Sequence, residues 1–123
     1  MTKILYVDDE PDIREIAVLS LRRDPSFDVR PCGSGREALE AVKEWRPDLV
    51  MLDVVMPDMD GPAILARLRE MPGGADLTVL FITARTQGPE VGRFLALGAD
   101  GVIAKPFDPL TLAATVKGHL QSP

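Results

Sequence analysis

The strongest constraint on the fold is a strict alternation along the chain between short apolar runs and longer segments of helical period. Short β-branched runs predict strands, and apolar residues that recur three and four positions apart predict amphipathic helices. A helical segment follows each of the five predicted strands, which cover Lys3–Asp8, Phe27–Pro31, Asp48–Asp53, Leu77–Thr83 and Gly101–Ala104.

Five β-then-α units imply a parallel sheet with helices on both faces, joined by right-handed crossovers. The first, third and fourth strands contain the continuously apolar runs ILYV, LVML and VLFI, which are typical of strands covered on both faces. These three strands are therefore predicted to lie in the centre of an α/β domain.

Several helices carry start signals of their own. Ser34 and Glu37 have the spacing of a capping box, and Pro11 and Pro109 stand where the first and fifth helices should begin. The periodicity of the first helix predicts four residues that point inward: Ile13, Ile16, Ala17 and Leu21.

Charge and composition exclude several classes of function. A formal net charge of -5 without a basic run argues against direct contact with nucleic acid or an anionic membrane surface. Cys32 is the single cysteine, which excludes an internal disulfide and favours a reducing compartment. The chain lacks a spanning apolar stretch and a signal peptide, so we expect a cytoplasmic location. The single histidine, His119, is expected to face solvent away from any site.

Polar residues stand at the carboxyl ends of four predicted strands. Asp8 ends the first strand and Asp9 follows it, Asp53 ends the third and Thr83 the fourth, and Lys105 follows the fifth. Ligands of open α/β sheets bind outside these ends. The side chains are therefore expected to meet in one functional site.

Three crowded carboxylates repel one another by about 4 kcal/mol per pair at 4 Å and an effective dielectric near 20. A divalent cation relieves this repulsion, and carboxylate-rich oxygen sites suit Mg²⁺, which also recruits phosphate oxygens. The set predicts a phosphoryl acceptor in which Asp53 is the nucleophile. Lys105 and the cation would neutralise the transferring oxygens, and Thr83 would donate a hydrogen bond to one of them.

Each residue also has a purely structural interpretation. Asp9 alone is better explained as the N-cap of the first helix, Thr83 as a strand residue and Lys105 as a solvated turn residue. Asp53 alone could be a satisfied strand-end acid. The convergence of four strand ends on the groups that one reaction needs favours the functional interpretation.

The chain resembles the receiver domain of bacterial two-component response regulators, with a likeness to the chemotaxis response regulators. The resemblance covers essentially all 123 residues and rests on five motifs, VDDE (Val7–Glu10), LDVVMPDMDG (Leu52–Gly61), ITA (Ile82–Ala84), GAD (Gly98–Asp100) and KPF (Lys105–Phe107). It implies a flavodoxin-like doubly wound (βα)5 fold with a five-stranded parallel sheet in the order 2-1-3-4-5. We expect residues 1–123 to form a single receiver domain with no output domain.

The resemblance also implies roles for individual residues. Asp53 would accept phosphate from a sensor histidine kinase or a histidine phosphotransfer protein. Asp9, Asp53 and the carbonyl of Val55 would bind Mg²⁺, with Asp8 acting mainly through a metal-bound water. Lys105 would pair with the phosphoryl group, and Thr83 would move toward it. The domain would catalyse only its own phosphorylation and dephosphorylation, and would signal to an unidentified downstream protein through the face of the fourth helix, fifth strand and fifth helix.

Three departures from the family pattern qualify these expectations. Val102 stands where receivers usually place a Tyr or Phe, which puts the usual aromatic gate in doubt. Gly101, with Thr111 and Thr115, replaces charged residues that transcription factors of the family use to dimerise, so that dimer is not predicted. Val55 and Arg85 occupy positions that tune phosphate lifetime, and an apolar residue paired with a cation predicts slow hydrolysis.

Three alternatives remain at the level of the sequence. A phosphohydrolase of the haloacid-dehalogenase kind would need a second acid two residues after Asp53, where this chain has Val55. A flavodoxin-like redox carrier would need aromatic residues in its binding loops. A non-phosphorylated scaffold is disfavoured by the complete set of polar strand-end residues, although Val102 keeps it open.

Overall fold

The computed structural model describes residues 1–121 as five strands and five α-helices in strict alternation. The strands are β1 (Thr2–Val7), β2 (Phe27–Cys32), β3 (Leu49–Asp53), β4 (Thr78–Thr83) and β5 (Gly101–Ala104). The helices are α1 (Pro11–Leu21), α2 (Gly35–Trp45), α3 (Gly61–Glu70), α4 (Gly88–Ala96) and α5 (Leu112–Gln121). Ser122 and Pro123, the end of the predicted 1–123 domain, lie outside the described residues.

The strands form one parallel sheet in the order β2-β1-β3-β4-β5. This confirms the flavodoxin-like (βα)5 fold with strand order 2-1-3-4-5. Strand β5 has the predicted limits, and the ends of the other four strands differ from the prediction by at most one residue. The carboxyl end of β1 is flanked by β2 and β3, which places the strand-end acids at the middle of one edge.

The sheet separates two apolar clusters. One packs β-strand side chains against α2, α3 and α4, and the other packs them against α1 and α5. From Ile4 to Val7, β1 is fully buried, and every residue of β3 is buried as well. Continuous apolar runs therefore do mark the central strands, because side chains on both faces of these strands are covered.

The buried face of α1 differs from the prediction. Ala17 and Leu21 are buried as expected, but the side chain of Ile16 is 43% exposed, whereas Val18 and Ser20 are buried. The Ser20 hydroxyl donates to the carbonyl of Ile16 at 2.7 Å. A serine satisfied by its own helix can be buried, and a hydrophobicity pattern does not count it.

The helix start signals are confirmed in part. Ser34 Oγ accepts from the backbone N–H of Glu37 at 3.2 Å, as a capping box requires, but Glu37 accepts from the N–H of Gly33 rather than of Ser34. Pro11 is the first residue of α1, as predicted, but Pro109 lies in a turn before α5, which begins at Leu112. Glu10, not Asp9, occupies the N-cap position of that helix, so the interpretation of Asp9 as its cap is wrong.

His119 was predicted to face solvent, but the structure differs. It is half-buried on α5 and packs over Gly101 at the start of β5. A Cβ atom at position 101 would lie 2.5 Å from Cε1 of His119, so this close approach requires glycine there. His119 lies at the amino-terminal edge of the sheet, away from the strand-end acids.

Two polar arrangements tie the amino-terminal side of the sheet together. Trp45, at the end of α2, lies between Lys3 and Arg30, whose charged groups are 5.6 Å and 4.6 Å from the ring centroid. Arg69 of α3 donates to the carbonyls of Gly74, Leu77 and Gly98 and forms a 3.2 Å ion pair with Asp100. Within residues 1–121, no helix has the length and apolar character to cross a membrane.

Candidate functional site

Backbone hydrogen bonds continue past the strand ends and position the polar residues. The N–H of Asp8 donates to Cys32 O at 3.1 Å, and the N–H of Lys105 donates to Thr83 O at 2.9 Å. Asp53 is the last residue of β3 and is paired with Ile82 of β4. The functional side chains are thus carried by the rigid rim of the sheet rather than by free loops.

Lys105 is the centre of the site. Its ammonium nitrogen lies 3.1 Å from Asp8 Oδ2, 3.3 Å from Asp53 Oδ2 and 3.4 Å from Glu10 Oε1. The side chain of Lys105 is only 15% exposed, so these contacts are not those of a solvated turn residue. The Lys105–Pro106 peptide bond is cis.

Three carboxylates surround this ammonium group. Oxygen atoms of Asp8, Glu10 and Asp53 all lie within 4.8 Å of one another. The sequence analysis did not predict Glu10 as a site residue, because an acid at the start of a helix is usually solvated. Its position directly after Asp8 and Asp9 was the one feature of the sequence that could have indicated it. Asp9, predicted as a metal ligand, lines the adjoining cavity and lies outside this compact group.

Burial controls the ionisation of Asp53. The residue is 5% exposed, and desolvation, together with the charge of Asp8, raises the pKa of its carboxyl to about 6. Lys105 and a 3.3 Å hydrogen bond from the N–H of Val55 oppose this increase. Burial disfavours the charged form of Lys105, but hydrogen bonds and charge from Asp8 and Asp53 outweigh it and raise the pKa of the ammonium group. Burial and the charge of Asp8 therefore disfavour the ionised form of Asp53, although its counter-ion Lys105 lies beside it.

An open cavity of about 590 Å³ adjoins these groups. Thr83 lies on its wall, only 3% exposed, and its Oγ1 accepts from the N–H of Arg85 at 3.0 Å. Val55 is 64% exposed at the same cavity. The complete lining is Asp9, Glu10, Asp53, Val55, Met56, Pro57, Thr83, Ala84, Arg85 and Lys105.

Tyr6 is a second residue that the sequence prediction did not include. It is fully buried in β1, and its hydroxyl lies 3.2 Å from Asp8 Oδ2. Burial first, and then the charge of Asp8, hold the pKa of this phenol above its usual range, so the hydroxyl is protonated and donates to the carboxylate. In the sequence, Tyr6 resembled any other apolar residue of a central strand.

The donor atoms at this edge suit a hard divalent cation. Carboxylate oxygens converge from β1, the start of α1 and the end of β3, and they border an open cavity with room for water. Mg²⁺ prefers one or two carboxylates together with several waters, whereas a softer metal would call for histidine or thiolate ligands. Of the predicted metal set, Asp9, Asp53 and Val55 line this cavity, and Asp8 belongs to the acid group beside it, so the carboxylates present suit the ion.

A second cavity, of about 640 Å³, lies between the end of α2 and the segment that links α3 to β4. It is lined by Lys43 and Arg46 together with mainly apolar residues. Asp53, the neighbouring acids and Lys105 all lie at the other edge, so the cavity of about 590 Å³ is the candidate site.

A parallel sheet of this order, with an acid-and-lysine site at the carboxyl ends of its strands, defines a doubly wound α/β protein that binds its ligand at this edge. Comparison with known proteins gives the family. Residues 4–117 match the model of the response regulator receiver domain. The chain belongs to this family, whose members are two-component signalling switches of bacteria rather than enzymes with a separate substrate.

Curated relatives agree with this assignment. The DNA-binding response regulator MtrA of Mycolicibacterium smegmatis is 40% identical over 119 residues, covering 97% of this chain and 50% of that protein. The transcriptional regulatory protein CseB of Streptomyces avermitilis is 36% identical over 120 residues, covering 98% of this chain and 49% of that protein. The chain thus spans about half the length of these relatives.

Solved structures show the same fold over the whole of both chains. The chemotaxis response regulator CheY4 of Vibrio cholerae superposes with a TM-score of 0.89 at 33% identity, covering 97% of this chain and 98% of that chain. A response regulator from Chloroflexus aurantiacus gives a TM-score of 0.88 at 33% identity, covering 98% of both chains. These findings favour the receiver family over the dehalogenase and flavodoxin alternatives.

Proposed function

We propose that this domain is a phosphorylation-dependent switch that accepts a phosphoryl group on Asp53 with the help of Mg²⁺. The observation that carries the proposal is the position of Lys105, within hydrogen-bond reach of both Asp8 and Asp53. An acid of raised pKa beside a buried ammonium group is the pairing that nucleophilic attack on phosphorus needs.

Asp53 is the proposed nucleophile. One of its carboxylate oxygens forms the new bond to phosphorus while the bond from phosphorus to a histidine nitrogen of the donor breaks. The electron pair of the broken bond remains on that imidazole nitrogen, which then takes a proton from solvent. Asp53 lines the cavity directly, so a phosphohistidine side chain can approach it from solvent.

Charge neutralisation is divided between Lys105 and the cation. When bound, Mg²⁺ supplies positive charge for the carboxylates and for the phosphoryl oxygens. Asp9, Asp53 and the carbonyl of Val55 would hold it, with Asp8 acting through water and Glu10 beside them. Lys105 would give up some of its hydrogen bonds to the carboxylates and donate one to a phosphoryl oxygen instead.

The read-out begins at Thr83. Its hydroxyl accepts from the N–H of Arg85, which leaves its own proton free to donate to a phosphoryl oxygen. Such a contact exists only in the phosphorylated state and would bias the Ala84–Gln87 loop and helix α4 behind it. Val102 is half-buried where an aromatic gate was expected, so the proposed signal passes through this loop to the α4-β5-α5 face.

The proposed partners are a sensor histidine kinase or histidine phosphotransfer protein as donor and a downstream protein that recognises the α4-β5-α5 face. The net charge of -5 disfavours direct binding of nucleic acid or a membrane surface by this domain. We expect the exchange to occur in the cytoplasm, where ATP maintains the phosphohistidine donors.

Intact mass spectrometry tests the acceptor. The protein is incubated with Mg²⁺ and acetyl phosphate, and we expect one added phosphoryl group on the wild type and none on Asp53→Asn. Asp28→Asn, which alters an exposed acid of β2, is the matched control and should be modified like the wild type. A wild type that gains no phosphate would support the scaffold alternative, and an Asp53→Asn variant that gains phosphate would mean that another side chain is the acceptor.

Amide chemical shifts test the read-out. Phosphorylation of the wild type should shift the amides of α4 and β5 as well as those around Asp53. Thr83→Val keeps the branched shape but lacks the hydroxyl, so it should be phosphorylated while the distant shifts in α4 shrink. Equal α4 shifts in both proteins would rule out Thr83 as the start of the read-out.

A further inference from the structure

Tyr6 connects the apolar core to the acid site. Its ring belongs to the cluster between the sheet, α1 and α5, and its hydroxyl reaches Asp8 Oδ2 at 3.2 Å. Both residues are fully buried. Since an ionised carboxylate only accepts hydrogen bonds, the phenol is the donor in this pair.

Asp8 is held by three donors from three directions. Its Oδ1 accepts from the N–H of Glu10 at 3.0 Å, and its Oδ2 accepts from Lys105 Nζ at 3.1 Å and from the Tyr6 hydroxyl. Lys105 shares its ammonium group among three carboxylates and would be drawn toward an incoming phosphoryl group. The Tyr6 ring is fixed by core packing, so it is the donor to Oδ2 that stays when Lys105 moves.

We propose that Tyr6 is a positioning residue that orients the Asp8 carboxylate toward the Mg²⁺ site. This inference rests on the proposed function, because it assumes that Asp8 faces the cation. Hydrogen bonds to groups around a metal fix their orientation, and their removal typically weakens metal binding tenfold to a hundredfold. Asp8 acts through a water in the proposed site, so we expect the lower end of that range.

A blander explanation is that Tyr6 fills the core and its hydroxyl merely finds an available acceptor. Tyr6→Phe separates the two explanations, because it removes a single oxygen atom and leaves the ring. A core-filling role would change the free energy of unfolding but not the affinity for Mg²⁺. A positioning role would weaken the affinity for Mg²⁺ even when the variant and the wild type are equally folded.

Calorimetric titration with Mg²⁺ provides the first measurement. We expect the dissociation constant of Tyr6→Phe to be about tenfold higher than that of the wild type. Met51→Leu is the matched control, because Met51 pairs with Tyr6 across β1 and β3, is fully buried in the same cluster and brings no hydrogen-bond donor to the carboxylates. Its affinity should stay within twofold of the wild type. An affinity of Tyr6→Phe within twofold of the wild type would overturn the inference.

The absorbance of Tyr6 provides the second measurement. Tyr6 is the single tyrosine of the chain, so a tyrosine difference spectrum during Mg²⁺ titration reports on this hydroxyl alone. We expect a signal with the same midpoint as the calorimetric titration, and its absence from Tyr6→Phe. Normal Mg²⁺ binding without a tyrosine signal would contradict the inference while leaving the proposed function intact. A wild type that binds no Mg²⁺ would overturn both.

Discussion

The ammonium nitrogen of Lys105 lies 3.3 Å from Oδ2 of Asp53, although 52 residues separate them in the chain. The pair forms because β3 and β5 both border β4, and the carboxyl ends of all three meet at one edge. Lys105 also forms ion pairs with Asp8 at 3.1 Å and with Glu10 at 3.4 Å, so one ammonium group faces three acids.

Removal of Lys105 should destabilise the metal-free protein. In Lys105→Met the buried carboxylates of Asp8 and Asp53 lose their counter-ion, and we expect the free energy of unfolding to fall by about 2 to 3 kcal/mol. Urea denaturation with a chelator present measures this change. Lys43→Met, an exposed lysine on α2, should shift the free energy by no more than about 0.5 kcal/mol. An equal loss in the two variants would mean that the ion pairs contribute nothing.

The stability of the metal-free protein should depend on the ionisation of Asp53. Its pKa is about 6 in the folded protein, against about 3.9 in an unfolded chain. The folded state therefore holds the proton more tightly, and this contribution to stability is complete below about pH 4 and lost as the pH rises through 6. Asp53→Asn should accordingly be more stable than the wild type by about 2 kcal/mol at pH 7.5.

The pH profile distinguishes this effect from a general one. The advantage of Asp53→Asn should shrink below pH 6 and be absent near pH 4, as measured by urea denaturation in the presence of a chelator. Asp28→Asn should show no such profile. An advantage that is independent of pH would refute the link to the raised pKa of Asp53.

Val55 should prolong the lifetime of the aspartyl phosphate. Its exposed apolar side chain borders the cavity beside Asp53, where it cannot orient a water for attack on phosphorus. We expect Val55→Asn to lose phosphate severalfold faster, as measured by the decay of the phosphorylated mass after removal of the donor. Leu110→Asn also replaces an exposed apolar side chain with an amide, and its aspartyl phosphate should decay at the wild-type rate. A wild-type half-life under a minute at room temperature would count against slow hydrolysis.

Arg69 should contribute to stability but not to phosphate chemistry. It donates to carbonyls at 2.7 Å on Gly74 and 2.8 Å on Gly98, and thereby joins α3 to the segments before β4 and β5. Arg69→Ala should lower the free energy of unfolding by about 2 to 3 kcal/mol, since several carbonyls lose a charged donor. Its Mg²⁺ affinity should be unchanged.

Arg67→Ala, an exposed arginine on the same helix, is the control for Arg69 and should be nearly neutral. A weakened affinity for Mg²⁺ in Arg69→Ala would show that the two edges of the sheet are coupled.

Much of this architecture could be predicted because it depends on local pattern. Continuous apolar runs identified the central strands, and the residue directly after each run identified the strand-end groups Asp8, Asp53 and Lys105. The less predictable features depend on three-dimensional context. Ile16 has the period of a core residue, but α1 buries Val18 and Ser20 instead and leaves Ile16 43% exposed.

Glu10 and Tyr6 escaped prediction for a related reason. Glu10 reaches the acid cluster only because the chain turns into α1 at that point, and Lys105 draws its carboxylate in at 3.4 Å. Tyr6 is apolar by its ring and polar only at one atom, so its burial pattern conceals its contact with Asp8. Sequence patterns record the average character of a side chain, whereas a site depends on where a single atom lies.

The placement of Trp45 has a practical consequence. Five residues of strand separate Lys3, which flanks the indole, from Asp8, a distance of about 16 Å at the usual rise per residue. Trp45 is the single tryptophan of the chain. Its emission should stay constant when Mg²⁺ binds or Asp53 is phosphorylated, and should change only when unfolding separates the indole from Lys3 and Arg30. Fluorescence and tyrosine absorbance would then follow global unfolding and events at the acid edge as separate signals from one cuvette.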